Sequence, residues 1–341
     1  MTHNCFNFTH YYPRRLPVGY FLLDCHLPSM PDLDPQLAEV VGDLDEGLPE
    51  WHALSVESAR DLEDELFSPE DPPPVDHVRE FGIDGPSGDG KTSATLPFRC
   101  YRHDVDPPAP VCLFFHGGGW VMGTLDSADD LAREIARRTG CLVVSVDYRL
   151  APEHPFPAAV DDARAALSWL AANAASIGGD PGRMAVAGSS AGGAIAAALA
   201  RWSRREGVPS LDHQLLLYPI VDPAAGGTAP EGPLLSRADV DWFWDEYLRS
   251  PVDRENPYAA PAAATALEGL PPATVVTAGF DPLGEEGSAY ADRLDAAGVP
   301  VAHHHYPSLS HGFLSLADQV DAADEAMDAA TNRLREGLVK D

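Results

Sequence analysis

Two hydrophobic rhythms alternate along the chain. Short, continuously apolar runs predict buried strands at 111–115, 141–146, 184–187, 214–218, 274–278 and 301–306. Between them, apolar positions recur every three or four residues and predict helices over 127–138, 161–173, 191–204, 285–297 and 318–334. Alternation of this kind implies an α/β fold, a mostly parallel central sheet with helices on both faces. In such sheets functional groups gather beyond the carboxyl ends of the strands.

The rhythm differs at three places. From Met30 to about Glu70 the groups Leu37, Val40, Val41, Leu44 and Leu54, Val56, Leu62, Leu66 predict two short amphipathic helices, ended by the stiff DPPPV tract at 71–75. Between Tyr218 and Leu270 the strands stop, and one aromatic helix-like patch at 239–248 holds Trp242, Phe243, Trp244 and Tyr247. An excursion of that length reads as an inserted lid rather than a connector. Residues 1–29 contain a single acid, Asp24, against Arg14 and Arg15, and read as a disordered extension, with Met30 as an alternative start. The apolar stretch at 18–23 is too short for the h-region of a twin-arginine export signal, and no A-x-A site follows.

Charge changes the picture most. With 53 Asp and Glu against 23 Lys and Arg, the formal net charge is −30, and only Lys91 and Lys340 are lysines. Nucleic acid and anionic lipid are disfavoured as partners. A surface this acidic suits concentrated salt, where the screening length falls to ~3 Å at 1 M. No apolar stretch is long enough to span a membrane, and the expected location is the cytoplasm. The cysteines Cys5, Cys25, Cys100, Cys112 and Cys141 contain no C-x-x-C pair and are odd in number, so neither a disulfide framework nor a zinc knuckle is expected.

The candidate chemistry begins at MAVAGSSAGGAIAAALA, a strand, a glycine-rich turn and a small-residue helix in succession. In the register Gly188-Ser189-Ser190-Ala191-Gly192, glycines stand two residues before and after Ser190, where a nucleophile elbow crowds the backbone. Ser190 is therefore the candidate nucleophile; Ser189 would place Ala187 and Ala191 at the crowded positions. His116-Gly117-Gly118-Gly119-Trp120 follows the strand VCLFF, so the N–H groups of Gly117 and Gly118, with that of Ala191, are candidate donors to an oxyanion.

A serine hydroxyl needs a base, and the base an orienting carboxylate. His311, in the LSHGFL loop after the last predicted strand, fits the first role. Asp281, at the end of ATVVTAGF and 30 residues earlier, fits the second and completes the order Ser190, Asp281, His311. Glu285 and Glu286 read as the start of a helix. Within the run His303-His304-His305, alternate residues face opposite sides of a strand, so a half-exposed strand is expected there, with metal binding by His303 and His305 as the alternative. In DYRLAPEHPFPAA, at 147–159, Pro152, Pro155 and Pro157 stiffen a turn, and Asp147 with Arg149 is expected to form a local ion pair.

These blocks resemble the hormone-sensitive-lipase-like branch of the α/β-hydrolases. HGGGW at 116–120, DYRLAPEHPFPAA at 147–159, GSSAGG at 188–193, LLYP at 216–219, GFDPL at 279–283 and HGF at 311–313 carry the resemblance, which runs from about Met30 to the C-terminus. It implies an α/β-hydrolase domain over 30–341, with a helical cap built from about 30–75 and about 219–265. Two positions depart from the pattern. The family usually has Asp where Ser189 stands, and a basic residue commonly follows DPL where Gly284 stands, which is expected to thin the support behind Asp281.

The expected function is hydrolysis of short-to-medium acyl esters by a serine carboxylesterase, through an acyl-enzyme and without metal or organic cofactor. The expected partner is a small-molecule ester, with a homodimer left open. An amidase or lactonase is the near alternative. A non-hydrolytic binding protein on the same scaffold is the distant one, because members of that kind resemble the family with the histidine base replaced.

Overall fold

In the computed structural model, which describes residues 32–45, 49–86, 95–226 and 230–339, the predicted alternation closes into one eight-stranded sheet. The expectation for residues 1–29 lies outside the described residues. The strands are β1 (His77–Asp84), β2 (Thr95–Arg102), β3 (Ala109–Phe115), β4 (Leu142–Val146), β5 (Gly179–Ser189), β6 (His213–Leu217), β7 (Ala273–Phe280) and β8 (Val301–Ser310). Their spatial order is β1-β2-β4-β3-β5-β6-β7-β8. From β4 to β8 every pairing is parallel, whereas β1–β2 and β2–β4 are antiparallel. This is the α/β-hydrolase fold that the sequence implied.

Both faces of the sheet are covered, which is why the central strands read as unbroken apolar runs. On β3, Val111, Leu113 and Phe115 enter one core cluster while Cys112 and Phe114 enter the other. The first cluster is completed by α4 (Ala158–Asn173), α5 (Ala191–Glu206) and α7 (Gly284–Ala296), through residues such as Leu167, Leu199 and Leu294. The second is completed by α3 (Asp129–Thr139) and α8 (Asp321–Leu338), through Ile135, Met327 and Leu334. All five of the predicted helices form, within a few residues of the expected ends.

The helices expected before residue 70 are α1 (Pro35–Asp45) and α2 (Val56–Phe67), separated by a short turn at Trp51–Ala53. Ser55 caps α2 by accepting from the Ser58 N–H at 3.1 Å. The excursion after β6 contains α6 (Arg237–Tyr247), whose N-terminus is closed by a reciprocal Ser236–Asp239 capping box. The two segments meet at specific hydrogen bonds. The Trp51 indole donates to Leu234 O at 2.9 Å, and both the backbone N–H and Nδ1 of His52 lie 2.9 Å from Asp239 Oδ1.

Candidate active site

Each candidate residue stands just past the carboxyl end of a parallel strand: Gly117 and Gly118 after β3, Ser190 after β5, Asp281 after β7 and His311 after β8. The turn at Ser190 is as tight as the glycine spacing predicts. A Cβ at Gly188 would lie 2.1 Å from Gly192 O, and one at Gly192 would lie 2.0 Å from Phe115 O. Ser190 itself adopts φ 53°, ψ −115°, a region sparsely used by L-residues, and its N–H is held by Leu217 O at 2.8 Å. The turn thus holds Ser190 at the start of α5, where the helix presents its positive end.

The three candidate side chains meet. His311 Nδ1 lies 2.9 Å from Asp281 Oδ2, and His311 Nε2 lies 3.0 Å from Ser190 Oγ. A carboxylate can only accept, so Nδ1 carries the proton and Nε2 accepts from the serine hydroxyl. Asp281 is fully buried, and its second oxygen takes the Leu283 N–H at 2.8 Å. The Tyr218 ring meets the imidazole edge-on at 4.9 Å and limits its rotation. Among the described residues no protein acceptor engages the N–H groups of Gly117, Gly118 or Ala191. Such an arrangement can deliver a hydroxyl oxygen to an acyl carbon, take its proton and receive a developing negative oxygen.

The loop after β3 is held from behind by groups to which the sequence assigned no such task. His116 donates from Nδ1 to Gly117 O at 2.9 Å, and its ring stacks on Tyr148 at 4.2 Å. Burial pushes its pKa down to about 4, so it stays neutral. The Tyr148 hydroxyl donates to His116 O at 3.0 Å, with Gly117 O at 3.3 Å. From α2, Arg60 donates to Val121 O at 2.7 Å and Ala151 O at 2.8 Å while forking onto Glu153. Phe243 of α6 lies against Gly119, where a Cβ would stand 2.1 Å from its ring.

One expectation needs correction. Arg149 does not pair with Asp147; it forks onto the buried carboxylate of Asp162, one helical turn inside α4, at 2.8 Å from Nη2 and 2.9 Å from Nε. Asp147, partly buried, faces Asp126 and Arg99 instead, and its pKa is raised by burial and by Asp126. Gly284 closes the turn that follows Asp281. A Cβ there would lie 2.4 Å from Ala278 O, and the Gly284 N–H donates to Asp281 O at 2.9 Å, so glycine is what lets the turn close.

The reading of the histidine run as strand holds. His303 Nε2 and His305 Nδ1 each lie 2.9 Å from Thr277 Oγ1, on one face of β8. No group of three or more potential metal ligands occurs among the described residues.

A cavity of about 560 Å³ opens over Ser190, lined also by Trp51, Leu66, Leu235 and Phe243. Two of its lining carboxyls are unusual. Burial raises Glu63 to about 7, against the pull of Ser127 and the Gly123 N–H, and burial with Asp318 and Asp129 raises Asp130 to about 6. Glu63 falls on the same face of α2 as the buried Ala59, a carboxylate at a core position, whereas Asp130 shares its face of α3 with Arg133 and Glu134.

The profile of a family with the α/β-hydrolase fold matches residues 112–315. Carboxylic ester hydrolase LipN of Mycobacterium tuberculosis is 45% identical over 70% of this chain, which spans 65% of LipN's own length. Carboxylesterase NlhH of the same organism is 39% identical over 91% of this chain and 98% of its own. An ester hydrolase from the metagenome of Lake Arreo superposes with a TM-score of 0.82 at 37% identity, covering 89% of this chain and 98% of that one. No described helix is long and apolar enough to cross a membrane. On the profile, the near-full-length relatives and the fold together, this chain belongs to the hormone-sensitive-lipase-like branch of the α/β-hydrolase family and is a carboxylic ester hydrolase.

Proposed function

We propose that the chain is a serine carboxylesterase acting through an acyl-enzyme, with Ser190 as nucleophile, His311 as base and Asp281 as its orienting carboxylate. The observation that carries this reading is the pair of hydrogen bonds, 3.0 Å and 2.9 Å, joining the three residues at the foot of the cavity. Ser190 Oγ attacks the ester carbonyl as His311 Nε2 takes its proton. The resulting oxyanion is received by the N–H groups of Gly117, Gly118 and Ala191, each donor of this kind contributing ~3–4 kcal/mol. The imidazolium then protonates the departing alkoxide. Water, deprotonated in turn by His311, attacks the acyl-enzyme and restores Ser190. Asp281 holds the imidazole in the required tautomer and stabilises its charged form.

In this reading α1, α2 and the segment from about 219 to 265 form the cap, and the −30 charge adapts the protein to concentrated salt in the cytoplasm. Retention of the histidine argues against a non-hydrolytic binder. A covered cleft of this volume accepts short chains. Turnover of chromogenic esters is therefore expected to peak at about four to eight acyl carbons. A series from acetate to palmitate at constant alcohol tests this, and preference for emulsified long-chain triglycerides would contradict it.

A further inference from the structure

The cavity over Ser190 is charged on one side of the ledger only. Among the described residues lining it there is no Lys or Arg, yet six carry carboxylates: Glu63 and Glu65 on α2, Glu70 and Asp71 just after it, Asp130 at the start of α3, and Asp318 shortly before α8. Several other buried carboxylates have arginine partners. Asp129 is met by Arg99 and Arg133, Glu134 by Arg137 and Arg138, and Asp162 by Arg149. Glu63 has none. It is only 8% exposed, and its Oε2 lacks any hydrogen-bond partner, as does Asp130 Oδ1. A buried acceptor without a partner is costly unless something else supplies one. The rest of the lining, from Trp51, Met122, Leu234, Leu235 and Phe243, is apolar.

We propose that the acidic part of this cavity binds a cationic group of the substrate, so that the preferred esters carry an ammonium on one side of the scissile bond and an apolar chain on the other. The proposal rests on the esterase reading and names its substrate class. A cation seated there would supply the counter-charge that Glu63 and Asp130 lack. Contact at that range is little weakened by salt, whereas attraction by the distant surface charge is screened away.

The protonation of the two carboxyls gives the preference a pH signature. Glu63 faces Asp64, Ser127, Tyr148 and the Gly123 N–H, and Asp130 faces Asp318, Asp129, Glu134 and Arg133. With Glu63 raised to about 7 and Asp130 to about 6, both are ionised above pH 8 and become neutral as pH falls through these values. The preference for a cation is therefore full at pH 8 and fades towards pH 5. His311 acts on charged and neutral esters alike, so it cancels in their ratio.

Two pairs of esters isolate charge from shape. Butyrylcholine is compared with its carbon isostere 3,3-dimethylbutyl butyrate, and ethyl 4-(trimethylammonio)butanoate with ethyl 5,5-dimethylhexanoate. Each kcat/KM is divided by that ester's own hydroxide-catalysed rate and measured in 1 M KCl with the fold verified by circular dichroism. In at least one pair the cationic ester is expected to lead by about tenfold at pH 8 and by much less at pH 5.5. The lead should shrink towards unity in Glu63→Gln/Asp130→Asn. It should persist in Glu255→Gln/Glu268→Gln, which removes the same charge at exposed positions outside the cavity. Turnover of the neutral esters with no cationic lead in either pair would overturn the proposal and leave the esterase reading intact. An equal loss of the lead in both double variants would assign it to the general field and overturn the proposal likewise. Failure to turn over any of the four esters would bring down the esterase reading and this proposal with it.

Discussion

Ser190→Ala is expected to lower kcat on a short-chain ester by on the order of 10⁵- to 10⁶-fold, while Ser189→Ala stays within about threefold of the parent enzyme. The neighbouring serines differ in what the backbone does with them. Ser189 ends β5 in register with Leu217 and makes no hydrogen bond to His311. Ser190 takes the strained φ of 53° that turns its hydroxyl towards the imidazole, and the flanking Gly188 and Gly192 have no room for a Cβ. Removing the nucleophile leaves binding and the oxyanion donors, which by themselves give about 10³–10⁴ over water. Purified variants with matching circular dichroism, assayed on one ester, decide the matter. Comparable loss in Ser189→Ala would move the nucleophile by one residue.

The second large effect concerns salt. Thirty unbalanced charges on a sphere of about 25 Å radius repel one another by on the order of ten kcal/mol more in the folded than in the unfolded chain at 0.1 M salt, and by only a few at 3 M. A smeared-charge figure is an upper bound, but stabilities of about 5–15 kcal/mol leave little margin against it. Arginine is already fully engaged at several points. Arg99 meets Glu80, Asp126 and Asp129, and Arg138 meets Glu134, Asp324 and Asp328. Salt weakens such pairs, which offsets part of the gain, yet exposed pairs contribute only about 0–1 kcal/mol each. The melting temperature is therefore expected to rise by at least about 10 °C between 0.1 and 3 M KCl. KCl is preferred to sulfate because sulfate strengthens apolar burial in any protein. A melting temperature independent of KCl would remove the argument for adaptation to salt.

Much of this site was legible because its chemistry forces unusual residues into the text. Gly188 and Gly192 are required by backbone approach, and the run at 117–119 by a loop with bare N–H groups, so both motifs announce themselves. The buried strands were equally plain, since β3, β4 and β6 are covered on both faces. What escaped notice obeys weaker rules. β1 is an edge strand exposed along most of its length, with Arg79 and Glu80 at its centre, and β2 carries Pro97, so neither has the apolar density of a core strand. The first five residues of β5 are GDPGR, a turn-like text that is extended only because Ala109 and Pro110 pair with it. The partner of Arg149 was misread because sequence proximity favoured Asp147, whereas the first turns of α4 bring Asp162 beneath the guanidinium. The cavity carboxylates were invisible for a related reason. Glu63 shares the buried face of α2 with Ala59 and is enclosed beside the loop after β3, by Ser127 and Gly123, whereas Asp130 occupies a polar position on α3 and is enclosed beside Asp318.

The central claim is that Ser190 Oγ forms the bond to the acyl group, and covalent capture tests it most directly. A p-nitrophenyl alkylphosphonate offers a tetrahedral phosphorus from which an activated serine displaces p-nitrophenolate, leaving a stable serine phosphonate ester. Intact-mass and peptide mass spectrometry are expected to find one adduct per chain, on Ser190, formed in step with loss of esterase activity and absent from Ser190→Ala. An adduct on Ser189 or another residue, or complete inactivation with Ser190 unmodified, would contradict the account.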